Sequence, residues 1–179
     1  KQGMFLIKRL ITYLLWALTG SIVAVIVLLY YQAASGPEPE LWHTVKLDAE
    51  FSADDADYVN NLEDYLQLEE VVFAQLNKKV YSHIATGSGH ELVRYSSGSA
   101  ADPRQRQPDW NRSFELTADD SAGGVLLLHG MSDSPYSLRA LGEELNHLGY
   151  RVLGMRMPGH GTVPSGLRTV QWQDMAAVV

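Results

Sequence analysis

The chain has 179 residues, no cysteine, and 14 Lys and Arg against 21 Asp and Glu, for a formal net charge of −7. The acidic balance, with no basic patch recurring after Arg9, excludes nucleic acid as a partner. The absence of cysteine excludes a disulfide framework, a zinc–thiolate site and a cysteine nucleophile.

The first predicted element is apolar and uncharged. Ile11–Tyr31, ITYLLWALTGSIVAVIVLLYY, is long enough to reach across roughly 30 Å of hydrocarbon. Lys1, Lys8 and Arg9 precede it, and Glu38 and Glu40 follow before Lys46. The positive-inside bias therefore predicts a cytoplasmic segment 1–9, a single transmembrane signal anchor over 10–31 that meets the membrane through residues 11–31, and a remainder on the outer, periplasmic or extracytoplasmic side. Tyr13, Trp16, Tyr30 and Tyr31 sit toward the ends as interfacial aromatics do. A cleaved signal peptide is the competing reading, since QAAS at 32–35 offers small residues. The apolar stretch nevertheless exceeds the roughly 7–15 residues of a signal core.

Residues 32–53 read as a linker, with Gly36, Pro37 and Pro39 stopping both helix and strand. Segment 54–84 is amphipathic. Tyr58, Leu62, Tyr65, Leu66, Val72, Phe73, Leu76 and Val80 recur at spacings of three and four, predicting a helix over about 57–82. Asp54, Asp55 and Asp57 suit its N-terminal end, and Lys78 and Lys79 its C-terminal end. This helix carries no catalytic spacing, so packing is expected of it rather than chemistry. Residues 85–111, rich in Gly, Ser, Pro and Arg, read as irregular connection.

From residue 112 the pattern changes. RSFEL (112–116) alternates as a strand does, and Val125–Leu128 is a continuous apolar run suited to a buried parallel strand that ends in His129-Gly130. A helix is expected from Pro135, with Leu138, Leu141, Leu145 and Leu148 on one face and Gly149 ending it. YRVLGMRM (150–157) makes another strand, followed by the turn Pro158-Gly159-His160-Gly161. A last helix opens near Thr169 as its N-cap. Strand, helix, strand and helix in succession predict a parallel α/β sheet.

VLLLHGMSDSPYSLRALGEEL followed by GYRVLGMRMPGHGTVPSGLRTVQWQDMAA resembles the α/β-hydrolase superfamily. It is most similar to the branch of bacterial carboxylesterases, monoacylglycerol lipases and serine aminopeptidase-like enzymes. The resemblance covers 112–179 and implies the N-terminal portion of a hydrolase domain: a parallel sheet with flanking helices, preceded here by the single transmembrane helix. It also implies that the loop after His-Gly supplies a backbone N–H to an oxyanion hole, a role that falls on Met131. A rigid N–H aimed at the developing oxyanion stabilises an acyl-transfer transition state by roughly 3–4 kcal/mol. Gly130 is expected to permit the tight backbone path, and Ser132 with its neighbours Asp133 and Ser134 to hold the loop; the following helix N-terminus favours an anion.

His129 and His160 both invite reading as the catalytic base. The resemblance instead makes His129 a hydrogen-bonding residue at the strand end and puts His160 in a turn that shapes the site. The two lack the companion carboxylates of a metal site, so neither metal nor cofactor is implied. Gly130-Met131-Ser132-Asp133-Ser134 comes close to the G-x-S-x-G nucleophile elbow, which offers Ser132 as a rival nucleophile, although its last position is not glycine. The family pattern puts its elbow about 20–30 residues beyond Trp172, so the Ser, acid and His of the triad are expected outside these residues. The resulting expectation is a membrane-anchored serine hydrolase of carboxylic esters, small or lipid-like, seen here as an incomplete and by itself inactive portion. The alternative is a membrane-tethered, non-catalytic binding or scaffold protein that keeps the front half of the fold.

Overall fold

The computed structural model describes residues 2–179, and the chain divides after Pro39 into two units. The first is one helix, α1 (Gln2–Ala34), of 33 residues with no buried side chain. It extends beyond the expected span because Lys8 and Arg9 are good helix formers and simply continue it. Thr12, Thr19 and Ser21 donate their hydroxyls to the carbonyls four residues earlier, each at 2.9 Å. Polar side chains are thus satisfied within the helix, as an apolar surrounding requires. By length and composition α1 is able to cross a membrane, which fits an anchor or a signal sequence.

The second unit opens with a short helix, α2 (Leu41–Thr44), inside the expected linker. The predicted helix over 57–82 is shorter in the structure, α3 (Leu62–Lys79), and its ends are set by chemistry the periodicity does not report. The Asn61 side chain accepts the Asp64 N–H as N-cap. Asp54, Asp55 and Asp57 belong to a separate 3-10 turn, Ala53–Asp57, where Asp55 accepts the Ser52 N–H at 2.8 Å. Tyr58 falls outside the helix and is exposed. Inside α3, Tyr65, Glu69, Val72, Phe73 and Leu76 form the buried stripe. Val72, Phe73 and Leu76 pack with Leu47, Val80, Tyr81, Tyr95 and Val163 as one core cluster.

The irregular segment is held by side-chain-to-backbone bonds. Buried Asp102 accepts from the Gly98 and Arg104 N–H groups and from the Arg104 guanidinium. Burial raises the Asp102 pKa, and those donors outweigh it, so the carboxyl lies below its ordinary value.

Three strands form the sheet: β1 (Phe114–Leu116), β2 (Gly124–Leu128) and β3 (Arg151–Met155), in the order β1-β3-β2. β2 and β3 are parallel, with Leu128 opposite Met155. The connection between them carries α4 (Arg139–His147), as a parallel crossover needs a dozen or more residues. β1 runs antiparallel to β3, with Glu115 opposite Leu153. The expected parallel sheet is therefore corrected to a mixed one. β1 enters from the irregular segment on the far side of β3, with no helix to turn it into the parallel direction.

Three further expectations are corrected here. β2 lies at an edge and is buried only at Leu127, whereas Leu126 and Leu128 are exposed. α4 does not use its leucine face evenly: Leu141 and Leu148 are exposed, and Gly142 faces the sheet. A Cβ on Gly142 would stand 3.2 Å from Leu127 and Phe114, so the absent side chain sets how closely helix and sheet approach. The last helix, α5 (Trp172–Ala177), is capped by Gln171 rather than Thr169. Buried Asp174 accepts both the Gln171 and the Ala53 N–H at 2.7 Å, joining the C-terminal helix to the 3-10 turn.

Candidate active-site cleft

Parallel pairing of β2 with β3 makes both strands deliver their following loops at the same edge of the sheet. His129-Gly130 and the Pro158–Gly161 turn therefore meet, with the His129 and His160 rings 5.1 Å apart and edge to face. The Met157 N–H donates to His129 Nε2 at 3.0 Å, which leaves Nδ1 as the protonated nitrogen, donating to the Gly130 carbonyl at 3.0 Å. Both ring nitrogens are engaged. Burial pushes the His129 pKa down, against the pull of the Gly130 carbonyl, so the ring is neutral near pH 7. His160, 3% exposed, donates from Nδ1 to the Pro158 carbonyl at 2.8 Å. Its Nε2 has no partner among the described residues.

Beyond His129 the loop turns outward. Met131 is 74% exposed, and its N–H meets no acceptor among the described residues. The tight turn expected at Gly130 falls instead at Ser132, which has a left-handed backbone, φ 62°, unusual for a residue with a Cβ. The Asp133 N–H closes this turn on the Gly130 carbonyl at 3.2 Å, and Asp133 Oδ1 accepts the Ser134 N–H at 2.8 Å. Pro135–Leu138 then forms a 3-10 turn, so α4 begins one turn later than expected.

The Pro158–Gly161 turn is built on close backbone approach. Gly159 and Gly161 have φ of 74° and 71°. A Cβ on Gly161 would stand 2.8 Å from the Asn111 carbonyl oxygen, so this glycine admits the irregular segment to the site. The result is a cleft of about 380 Å³ whose lining includes Ser132, Asp133, His160, Arg94, Asn111 and Tyr136. Gly159 and Gly161 also line it; His129, Gly130, Met131 and Pro158 do not. Trp110 of the irregular segment stacks on Tyr136 at 4.1 Å, closing one wall. Ser132 and Ser134 are bonded to no histidine, and among the described residues a serine hydroxyl meets a histidine ring only between exposed neighbours, Ser82 and His83.

Sequence reasoning missed the charged group beneath the cleft. Arg156 is 1% exposed and donates from Nε to Glu69 at 3.1 Å, and from Nη1 to Glu50 at 2.7 Å and to the His160 carbonyl at 3.0 Å. Tyr65 donates its hydroxyl to the Arg156 carbonyl at 2.6 Å. Burial opposes the guanidinium's charge, but Glu50, Tyr65 and Glu69 outweigh it and raise its pKa. Two signals were there to read. Arg156 continues the inward alternation of Val152 and Gly154, and Glu69 sits within the apolar stripe of α3.

A parallel strand pair that sends a His-Gly loop and a Pro-Gly-His-Gly turn to one cleft, covered by a crossover helix, is an α/β-hydrolase arrangement, and the chain is related to that class. Its similarity is to lipolytic enzymes. A thermostable monoacylglycerol lipase from Bacillus sp. (strain H-257) is 37% identical over 62 residues, which cover 35% of this chain and 25% of the lipase. A solved structure from work on LipS and LipT, two metagenome-derived lipolytic enzymes, is 34% identical, with a TM-score of 0.36, over 38% of this chain and 27% of that one. The chain thus spans about a quarter of the length of the relatives it matches. No family model matches it.

Proposed function

We propose that these residues form the anchor and the oxyanion side of a serine hydrolase that cleaves carboxylic esters, lipid-like ones included. The observation that carries this reading is the Met131 N–H, unpaired at the end of β2 on a loop clamped by His129. A preorganised donor of this kind stabilises the oxyanion of acyl transfer. Because His129 has both nitrogens engaged, it serves as the clamp and not the base, and Ser132 makes no hydrogen bond to a histidine. In this reading the nucleophile, its His and the acid come from other residues of the whole protein, with the acyl-enzyme chemistry of a Ser–His pair. α1 acts as an uncleaved anchor with its N-terminus in the cytoplasm. The lipase relative favours a substrate with a lipid acyl chain. The test is hydrolysis of p-nitrophenyl esters by the full-length protein in detergent, with fluorophosphonate as inhibitor. Turnover abolished by the inhibitor is expected; absence of both turnover and labelling would overturn the enzyme reading and leave a tethered scaffold.

A further inference from the structure

The cleft has an unused polar wall that the oxyanion chemistry leaves unexplained. Arg104, Arg112, Arg139, Arg151 and Arg156 each pair with a carboxylate, as expected in a chain of net charge −7. Arg94 does not. Exposed at the cleft, it donates from Nη2 to Asn111 Oδ1 at 2.9 Å and lies beside the Tyr95 hydroxyl, and its five N–H donors outnumber these partners. Asn111 is 3% exposed, and with Oδ1 taken by Arg94 its amide N–H groups make no bond among the described residues. Thr162, 4% exposed and also in the lining, has a hydroxyl without a partner. Leaving a buried polar atom unpaired costs about 1–3 kcal/mol, and two such atoms, the Thr162 hydroxyl and His160 Nε2, belong to residues that line this one concave place.

The unused groups of Arg94 and Asn111 are all donors, and one is a full positive charge. Neither nearby carboxylate forms an ion pair with it: Asp109 accepts the Asn111 N–H and lies beside Arg112, and Asp133, which lines the same cleft, accepts the Ser134 N–H. We propose that Arg94 and Asn111 form a subsite for an anionic group, carboxylate or phosphate, on the ester substrate. Planar, charge-assisted donors of this kind recognise both anions. The anion sits against the irregular segment, on the wall that Arg94 and Asn111 form. The subsite also explains why Gly161 brings Asn111 so close to the turn.

This inference rests on the hydrolase reading, and its test separates the two. On the full-length protein in detergent, kcat/KM is measured for a neutral ester and for matched esters ending in a carboxylate or a phosphate. The account expects a preference for at least one charged ester, falling about tenfold in Arg94→Gln and partly restored in Arg94→Lys. Which anion shows the larger preference tells carboxylate from phosphate. Arg168→Gln, an arginine without a carboxylate partner and outside this cleft, should leave the preference intact. Hydrolysis with no charge preference, or one unaffected by Arg94→Gln, overturns the subsite while the hydrolase reading stands. Should no ester be cleaved, binding of phenyl phosphate to the same protein by saturation-transfer NMR decides: signal lost in Arg94→Gln supports the subsite, and equal signal in both proteins overturns it.

Discussion

Replacing Arg156 by Met probes how the cleft is supported. The guanidinium joins three parts of the second unit: Glu50 before the 3-10 turn, Glu69 on α3 and the His160 carbonyl in the glycine-rich turn. The side chains of Arg156 and Glu69 are 1% and 3% exposed, and that of Glu50 10%, so solvent screens the group weakly. Met fills most of the volume but leaves two buried carboxylates facing each other without a cation. Removing one partner of a buried pair costs about 3–5 kcal/mol, most of it the penalty of the stranded charge. Equilibrium urea unfolding of the detergent-solubilised protein, followed by tryptophan fluorescence, measures it. The stranded-charge argument makes a second demand: the triple variant Glu50→Gln, Glu69→Gln, Arg156→Met should be less destabilised than Arg156→Met alone. A single variant within about 1 kcal/mol of the parent, or a triple variant worse than the single, refutes the reasoning.

Gly161→Ala places a Cβ 2.8 Å from the Asn111 carbonyl in a left-handed backbone, so a loss of about 2–4 kcal/mol in the same unfolding assay is expected, and less than 0.5 would mean the segment yields freely. His129 is held neutral, its pKa lowered by burial; the unfolded chain takes up that proton first, so stability is complete above about pH 6.5 and declines as pH falls through that value. Unfolding midpoints between pH 7.5 and 5 should therefore slope less in His129→Gln, and an unchanged slope would contradict the clamp. For the anchor, a periplasmic reporter enzyme fused after Pro39 should be active outside the cytoplasm; activity confined to the cytoplasm would reverse the orientation.

Much of the second unit was legible because hydrophobic period and turn residues acted together. The β2, α4 and β3 succession and the two loops at one sheet edge follow from apolar runs that stop at His-Gly and Pro-Gly-His-Gly. Direction was not legible for β1, because three alternating residues carry no sign of whether they pair parallel or antiparallel. The start of α3 was set by Asn61, a cap that competes poorly for attention beside the acidic run before it. The leucine face of α4 misled because a glycine, invisible to hydrophobic periodicity, sets the contact. In the site, the meeting of His129 and His160 depends on strand pairing, and the contribution of Arg94, Trp110 and Asn111 depends on an irregular segment that has no period to read. Arg156 and Glu69 appeared as charges out of place in apolar patterns, which is the trace a buried ion pair leaves.

The central claim is that the Met131 loop serves a nucleophile other than its own Ser132. Fluorophosphonate labelling of the full-length protein, with the modified residue located by tandem mass spectrometry, tests it directly. The account predicts a single labelled serine outside residues 2–179, and labelling that survives Ser132→Ala. Label on Ser132 would contradict it.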